Sequence, residues 1–247
     1  MKTVKYIPTL LLFASMLLLT GCEIRYNGCN ISKSSGSREL NNECTYTIDG
    51  ELTALEISGG VDVVVDTTIA KNQIRVLANT DDFSPLVVKA ENGKLFVSHK
   101  RNTGDKEYKV YVPAFDYNAL ALAGGSDLEW NCCNADELAL TVSGGADCEI
   151  KGKCNTLAVM ASGGADCGIK GKCNTLAVVA SGGADVDLDE LIAGEVSVVA
   201  SGGADVELHA VRTISLTASG GADVYVDGTP QISEWNVSGA ADVHIKK

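Results

Sequence analysis

The sequence predicts an all-β chain folded as a right-handed parallel β-helix, a solenoid built from coils of 18–20 residues. The first observation is a repeated Ser-Gly-Gly-Ala-Asp motif, whose copies end at Asp147, Asp166, Asp185, Asp205 and Asp223. Degenerate copies end at Asp62, Asp127 and Asp242, and from Asp127 onward the spacing stays between 18 and 20 residues. This period is too short for a repeat of two helices, and it fits one coil of a solenoid.

The second observation is a strict alternation of apolar residues on both sides of each motif. Around one copy the apolar positions are Leu176, Val178, Ala180, Ala184, Val186 and Leu188. A period of two predicts strands whose alternate side chains face one interior, and residues 120–247 show no sustained period of 3.6. Each coil is therefore interpreted as a strand, a Gly-Gly corner, a second strand and a variable turn.

Parallel stacking of the coils is favoured over a propeller or sandwich of antiparallel hairpins. One coil buries little apolar surface alone, whereas neighbours stacked about 4.8 Å apart share a continuous core. Units of 18–20 residues are also too short for four-stranded propeller blades. The near-identity of successive units is explained by equivalent residues stacking along one axis.

The N-terminus predicts export and lipid attachment. Residues 1–21 combine two lysines, an apolar run from Ile7 to Leu19 and a small-residue cleavage site, which is the pattern of a signal peptide. Leu19-Thr20-Gly21-Cys22 resembles a bacterial lipobox, so we expect Cys22 to become the acylated N-terminal residue. An ordinary signal peptide with an incidental cysteine is the alternative. Residues 22–45, rich in Ser, Asn and Gly, are interpreted as a lipidated tether.

The charge of the chain limits its partners. Cleavage after Gly21 removes two lysines, so the net charge changes from −12 to −14. Such an acidic chain is a poor ligand for nucleic acid and is repelled by anionic headgroups. We expect a cell-envelope protein attached to a membrane through its lipid. The outer membrane is favoured, and the side on which the protein lies is left open.

The solenoid domain is predicted over residues 46–247, with inserted strands over 77–117. The insertion is indicated by the long interval between Asp62 and Asp127. Within it, residues 86–98 predict a hairpin around Asn92-Gly93, and residues 106–112 predict a third strand.

The aspartates of the motif predict an acidic face. If the copies stack, their outward carboxylates form a row, and a second acidic row lies two residues later in some coils. The candidate binding face consists of Asp127, Glu129, Asp147, Glu149, Asp166, Asp185, Asp187, Asp205, Glu207, Asp223 and Asp242. Like charges about 5 Å apart cost on the order of 1 kcal/mol even in water, so the repulsion must be relieved.

Two mechanisms could relieve this repulsion. The carboxylates could accept hydrogen bonds from the Gly-Gly corner or a nearby serine, as in an Asx turn, and this structural role is favoured. Alternatively, rows of carboxylate oxygens could bind calcium. Residues 182–188 partly match the calcium-binding nonapeptide, but they lack its third glycine and hold the aspartate two positions early. We therefore expect no cofactor and no metal, with calcium on the aspartate row as the minor alternative.

The cysteines partly follow the repeat. Cys148 and Cys167 occupy the inward position of Val186, which predicts stacked small hydrophobic residues. Disulfides are expected for the turn cysteines, with the candidate pairs being Cys154–Cys173 and Cys133–Cys154, and Cys29–Cys44 is expected to clip the tether.

The repeats behind a lipobox resemble the auto-transporter adhesin head GIN domain family, which is common in lipoproteins of Bacteroidetes. The resemblance covers roughly residues 46–247 and rests on the repeated corner motif and on the hairpin before the regular coils. It implies a β-helical, adhesin-like protein and brings no catalytic residues to this chain.

We therefore expect a non-enzymatic binding module for a carbohydrate or a surface protein. His99, His209 and His244 lie in unrelated contexts, and neither a nucleophile elbow nor a phosphate loop occurs. A structural or assembly role is the second hypothesis. A β-helical polysaccharide lyase is the third, and it requires a cation and a basic residue beside the acidic row; Lys151, Lys153, Lys170 and Lys172 are interpreted as solvated turn residues.

An outward apolar row offers another surface. Met160, Val179 and Val199 would form it, with Thr141 and Thr217 at its ends. An exposed apolar stripe usually marks an interface. The alternative, which is slightly favoured, is that the hairpin or another strand of the same chain covers the row.

Overall fold

The chain folds into one continuous β-sheet wound as a solenoid. The computed structural model describes residues 23–30, 39–100 and 105–246, which form 17 strands. In these three ranges no helix has the length and apolar character needed to cross a bilayer. The predicted signal peptide (residues 1–21) and the lipidated Cys22 lie outside the described residues.

The first nine strands build the irregular N-terminal part of the stack. They are β1 (Glu23–Asn30), β2 (Asn42–Asp49), β3 (Ala54–Ser58), β4 (Asp62–Asp66), β5 (Gln73–Ala78), β6 (Leu86–Glu91), β7 (Lys94–His99), β8 (Tyr108–Pro113) and β9 (Ala119–Gly124). The predicted hairpin is present as the antiparallel pair β6–β7. Asn92 and Gly93 adopt φ angles of 53° and 74°, as a two-residue hairpin turn requires.

The regular coils follow. They are β10 (Asp127–Gly144), β11 (Asp147–Gly163), β12 (Asp166–Gly182), β13 (Asp185–Gly202), β14 (Asp205–Ala218), β15 (Asp223–Asp227), β16 (Gln231–Val237) and β17 (Asp242–Lys246). Successive coils pair in parallel, and Val186 lies directly beside Val206. The predicted parallel β-solenoid is therefore confirmed.

The alternation of apolar residues produces the core. Leu176, Val178 and Ala180 are buried, as are the equivalent residues of the neighbouring coils, and Cys148 and Cys167 lie beside each other in the same interior. In the regular coils β10 to β13, burial of alternate side chains removes the apolar half of each strand from water, which is the main driving force for stacking.

The order of the layers differs from the order of the chain. The segments β3 and β4 stack on β9 and β10, so that Asp62 lies beside Asp127 despite the long interval between them. On their other side, β3 and β4 pair in parallel with β7 and β8. The strands β7 and β8, which lie in the predicted insertion, thus form a layer of the solenoid. This layer lies on the N-terminal side of the layer formed by β3 and β4, although β3 and β4 come earlier in the sequence.

Antiparallel strands cover the N-terminal end of the stack. The strand β8 pairs with β5, β5 with β2, and β2 with β1. The Cys29–Cys44 disulfide joins β1 to β2, which confirms the predicted pairing of these cysteines. Much of the segment predicted as a tether, namely residues 23–30 and 42–45, is therefore strand in this structure.

Candidate binding face

The predicted aspartates form one row along the solenoid. From Asp127 to Asp242 each motif aspartate is the direct lateral partner of the next, and Asp62 extends the row at its N-terminal end. Their side chains point outward because the flanking residues, such as Leu128 and Val186, occupy the core. Eight carboxylates spaced by about 4.8 Å span roughly 34 Å. We call this set, from Asp62 to Asp242, the aspartate row.

The second acidic row is interrupted. Glu129 pairs with Glu149, and Asp187 pairs with Glu207, but Gly168 lies between these two pairs and contributes no side chain. Beyond Glu207 the row continues with Tyr225. The structure therefore brings the predicted second-row acids together as two pairs.

The corner amides do not cap the aspartates, so the favoured Asx-turn explanation is wrong. The amide of Gly164 donates to the carbonyl oxygen of Gly144 at 2.7 Å, and the amide of Asp166 donates to the carbonyl oxygen of Ala146 at 3.1 Å. Equivalent bonds join the other coils. A parallel stack needs these amides between coils, which leaves none for the carboxylates. At the corner that follows β3, the Ser126 hydroxyl oxygen accepts from the Gly60 amide at 3.0 Å.

Burial, followed by repulsion between neighbouring carboxylates, raises the pKa of two members of the row, Asp127 and Asp185. Partial burial, and then the neighbouring carboxylates Asp62 and Asp147, raise the pKa of Asp127 above its ordinary value. Burial, followed by Asp166 and Asp205, raises the pKa of Asp185 in the same way. The row therefore carries negative charge that internal hydrogen bonds do not offset.

A shallow depression lies at the N-terminal end of the face. It has a volume of about 270 Å³ and is lined mainly by charged groups, including Asp62, Lys109, Asp127 and Glu149. Lys109 is the lateral neighbour of Asp62. Its positive charge opposes the effect of burial, which still raises the pKa of Asp62. The motif ending at Asp62 could have placed that residue on the face, whereas no sequence signal brought Lys109 there.

A lyase would need a basic residue and a bound cation beside the acidic row, and the structure supplies the basic residue. Lys109 provides a basic group beside the acidic row. Among the residues described, however, no group of three or more His, Cys, Asp or Glu side chains is arranged to hold a metal ion, on the aspartate row or elsewhere. The four predicted turn lysines form lateral pairs beyond the acidic rows, and Lys170 makes an ion pair with Glu190.

The turn cysteines are free thiols, so the predicted disulfides between coils are not formed in this structure. Cys154 and Cys173 are lateral neighbours, and the thiol of Cys173 donates a hydrogen bond to the sulfur of Cys154. This bond lowers the pKa of Cys154 and, together with burial, raises the pKa of Cys173. Burial raises the pKa of Cys133 to about 12.

Met160 and Val199 of the outward apolar row are exposed and Val179 between them is half-buried, which contradicts the expectation that the hairpin covers the row. Met160 retains 45 % of its surface and Val199 retains 37 %. Instead of crossing this surface, the hairpin strand β7 pairs edge to edge with β3 as part of the stack. The row is narrow and is flanked by Thr141 and Thr217.

Known proteins share this fold. The family described as "Putative auto-transporter adhesin, head GIN domain" matches residues 51–230. The matched segment contains the first seven members of the aspartate row and ends before β16. None of the curated proteins matches the chain.

Several solved structures share the fold. A putative adhesin from Bacteroides fragilis superposes with a TM-score of 0.71 at 19 % identity, covering 83 % of this chain and 96 % of its own. A putative lipid binding protein from Parabacteroides distasonis gives 0.64 at 15 % identity, covering 83 % and 97 %. A putative adhesin from Parabacteroides merdae gives 0.61 at 14 % identity, covering 83 % and 95 %. At these identities the likeness extends to the fold alone.

Proposed function

The chain belongs to the family described as "Putative auto-transporter adhesin, head GIN domain", and from this membership we propose that it is an envelope-anchored, non-enzymatic adhesin-like binding module. The observation that carries the proposal is the aspartate row, a line of outward carboxylates in which Asp62 lies beside Lys109 and the other members lie beside one another. We propose that this row is the recognition face and that its ligand is a lysine- or arginine-rich segment of a partner protein.

Electrostatics favour a cationic ligand over a neutral one. The carboxylates already repel one another in the free protein, as the raised pKa values of Asp127 and Asp185 indicate. A cationic segment would relieve this repulsion while forming charge-assisted hydrogen bonds. Long-range attraction would also accelerate association, and it would weaken as salt is added.

The shape of the face suits an extended ligand. The row runs along the stack instead of surrounding a closed cavity, and a shallow depression lies beside Asp62 and Lys109 at its N-terminal end. The flexible side chains of lysine and arginine can reach carboxylates on several coils from one extended backbone.

The proposed anchor leaves this face accessible. Cys22 immediately precedes β1, which lies at the N-terminal end of the stack. Acyl chains on Cys22 would hold that end at a membrane, with each buried CH₂ contributing about 0.8 kcal/mol. The coils that carry the aspartate row would then extend away from the attachment point.

Binding of a fluorescent ten-residue oligolysine peptide to the full-length protein tests the recognition face. The double substitution Asp185→Asn with Asp205→Asn should weaken binding about fivefold or more at roughly 50 mM salt. The matched control, Asp136→Asn with Glu137→Gln, removes the same charge from an exposed part of β10 outside the aspartate row and should change binding less than about twofold. Equal losses in the two variants, or glycan binding that neither variant affects, would count against the aspartate row.

Metabolic labelling with an alkyne-bearing palmitate tests the anchor. The full chain should incorporate the label and remain with the membrane fraction, and Cys22→Ala should abolish both. Label incorporation that persists in Cys22→Ala would reject Cys22 as the attachment point. Protease treatment of whole cells then reports the side of the membrane on which the solenoid lies.

A further inference from the structure

The C-terminal layer exposes a cross-section of the core. Ile232, Trp235 and Val237 occupy inward positions of β16, and they retain 47 %, 39 % and 41 % of their surface. Ile245 occupies an inward position of β17 and retains 37 %. Their partners one layer below are almost completely buried, namely Ile214, Leu216, Ala218 and Val226. These side chains are exposed because no other described strand stacks on the outer side of β16 and β17, and we call the surface they form the C-terminal end face.

The two ends of the solenoid are built differently. In the layer formed by β7 and β8, Leu95, Val97 and Val110 are fully buried, because antiparallel strands continue the sheet beyond that layer. At the other end, β16 pairs only with β14 and β17 pairs only with β15 among the residues described. The C-terminal layer therefore combines apolar exposure with unpaired backbone edges, a combination that promotes pairing with another chain.

The charges of β17 favour pairing with a second copy of the same strand. The strand begins with Asp242, has His244 at its centre and ends with Lys246. When such a strand pairs with a copy of itself in antiparallel orientation around His244, Asp242 lies opposite Lys246 of the second copy. In the same register Val243 lies opposite Ile245, and both face the shared interior. This register preserves the alternation of inward and outward side chains and joins opposite charges on the outside.

We propose that the C-terminal end face binds a second copy of this chain, in an end-to-end dimer whose two-fold axis passes midway between His244 of β17 and His244 of the second copy. The arrangement is isologous, so it closes at two copies. A head-to-tail filament is disfavoured because Leu95, Val97 and Val110 in the layer formed by β7 and β8 are already covered by antiparallel strands. The N-terminal ends of the two copies lie at opposite extremities of the dimer.

The size of the surface predicts a weak dimer. A seven-residue strand is roughly 23 Å long, and two facing sheets with their side chains span about 20 Å, which gives on the order of 450 Å² per copy. Specific interfaces of this size lie at the low end of the known range. We therefore expect a dissociation constant of roughly micromolar magnitude.

Charge reversal in the full-length protein, measured by sedimentation velocity from about 1 to 200 μM, tests the register. Asp242→Lys and Lys246→Asp should each weaken association about tenfold or more, because each places like charges opposite each other. The dissociation constant of the double variant should lie within about threefold of the unaltered protein's, because the variant restores each ion pair with its two charges exchanged. A monomer throughout the range, or a dimer that none of these variants alters, would overturn the proposal.

Cysteine cross-linking tests the position of the axis without relying on affinity. His244→Cys should give a disulfide-linked dimer under mild oxidation, because paired strands bring these Cα atoms to about 4.5–5.5 Å. Tyr225→Cys is the matched control, since Tyr225 is the exposed lateral neighbour of His244 one coil further from the axis. Its two copies would lie about 14 Å apart, too far for a disulfide. Equal cross-linking of the two variants, or cross-linking of neither, would contradict the end-to-end register.

Discussion

The backbone nitrogen of Gly203 donates a hydrogen bond to the carbonyl oxygen of Gly182 in the preceding coil, at 2.7 Å. The same contact recurs at the corners of the other regular coils. It gives the two adjacent residues of the corner different roles. The first accepts the positive φ angle and the close approach of the coil below, and the second supplies the amide that joins the coils. The carboxylate that follows is left to face solvent.

Alanine substitutions at one corner should separate the roles of its two glycines. Gly202 has a φ angle of +79°, and an added Cβ would lie 2.9 Å from the carbonyl oxygen of Gly182. Gly202→Ala should therefore lower the free energy of unfolding by about 2–4 kcal/mol, measured by urea denaturation. Gly203→Ala is the control: its Cβ would lie 3.6 Å from the nearest atom, and its effect should stay within about 0.5 kcal/mol. Similar losses in the two variants would contradict this account of the corner.

Neutralising one aspartate of the row should stabilise the protein at neutral pH. The pKa of Asp185 is raised by burial and by its acidic neighbours, so the folded protein binds a proton there more readily than the unfolded chain. Stability therefore falls as the pH rises from about 3.9, the unfolded value, through the raised folded value. Asp185→Asn should raise the melting temperature by about 1–3 °C at pH 7 and have little effect below about pH 4.

Thermal melts of Asp185→Asn and Asp136→Asn across this pH range provide the comparison. Asp136 is an exposed residue of β10 that is not a member of the aspartate row. A gain of the same size in both variants would show that total charge, and not the row, determines the effect. A gain that increases toward low pH would reverse the predicted sign.

Removal of the Cys29–Cys44 disulfide should loosen the N-terminal end alone. The bond closes a segment of 15 residues, and such a constraint contributes about 3 kcal/mol in the chain-entropy account. Cys29→Ala with Cys44→Ala should accelerate hydrogen exchange in β1 and β2. Exchange in β12 and β13 should be unchanged, because each layer of a solenoid contacts mainly its neighbours. Uniform acceleration through all coils would show that the end layers and the regular coils unfold together.

The two adjacent thiols should differ in reactivity. The hydrogen bond from Cys173 lowers the pKa of Cys154, which is also the more exposed of the pair. Since the thiolate is the reactive form, iodoacetamide at about pH 7.5 should label Cys154 at least tenfold faster than Cys173. Peptide mass spectrometry measures both rates in one sample. Cys173→Ser should slow the labelling of Cys154 by weakening the bond, and an unchanged rate would argue against that contact.

The surroundings of the corner show where sequence reasoning reached its limit. Repetition placed Asp185 beside Asp205 and Val186 beside Val206, because identical units stack in register. It did not reveal how the corner amides are used, since the choice between a carboxylate and a carbonyl oxygen depends on the position of the next coil. The same applies to Met160, whose exposure depends on where the hairpin packs.

The sequence by itself determined the coil: the period, the Gly-Gly corner and the alternation of apolar residues are local, and each is set by the conformations available to a few neighbouring residues. Only the tertiary structure decided the order of the N-terminal layers, which brings Lys109 beside Asp62 and leaves Trp235 exposed on the last coil. The physical reason is that pairing between strands far apart in the chain depends on how connecting segments close, and on which surfaces remain to be covered. The repeat itself determines neither condition.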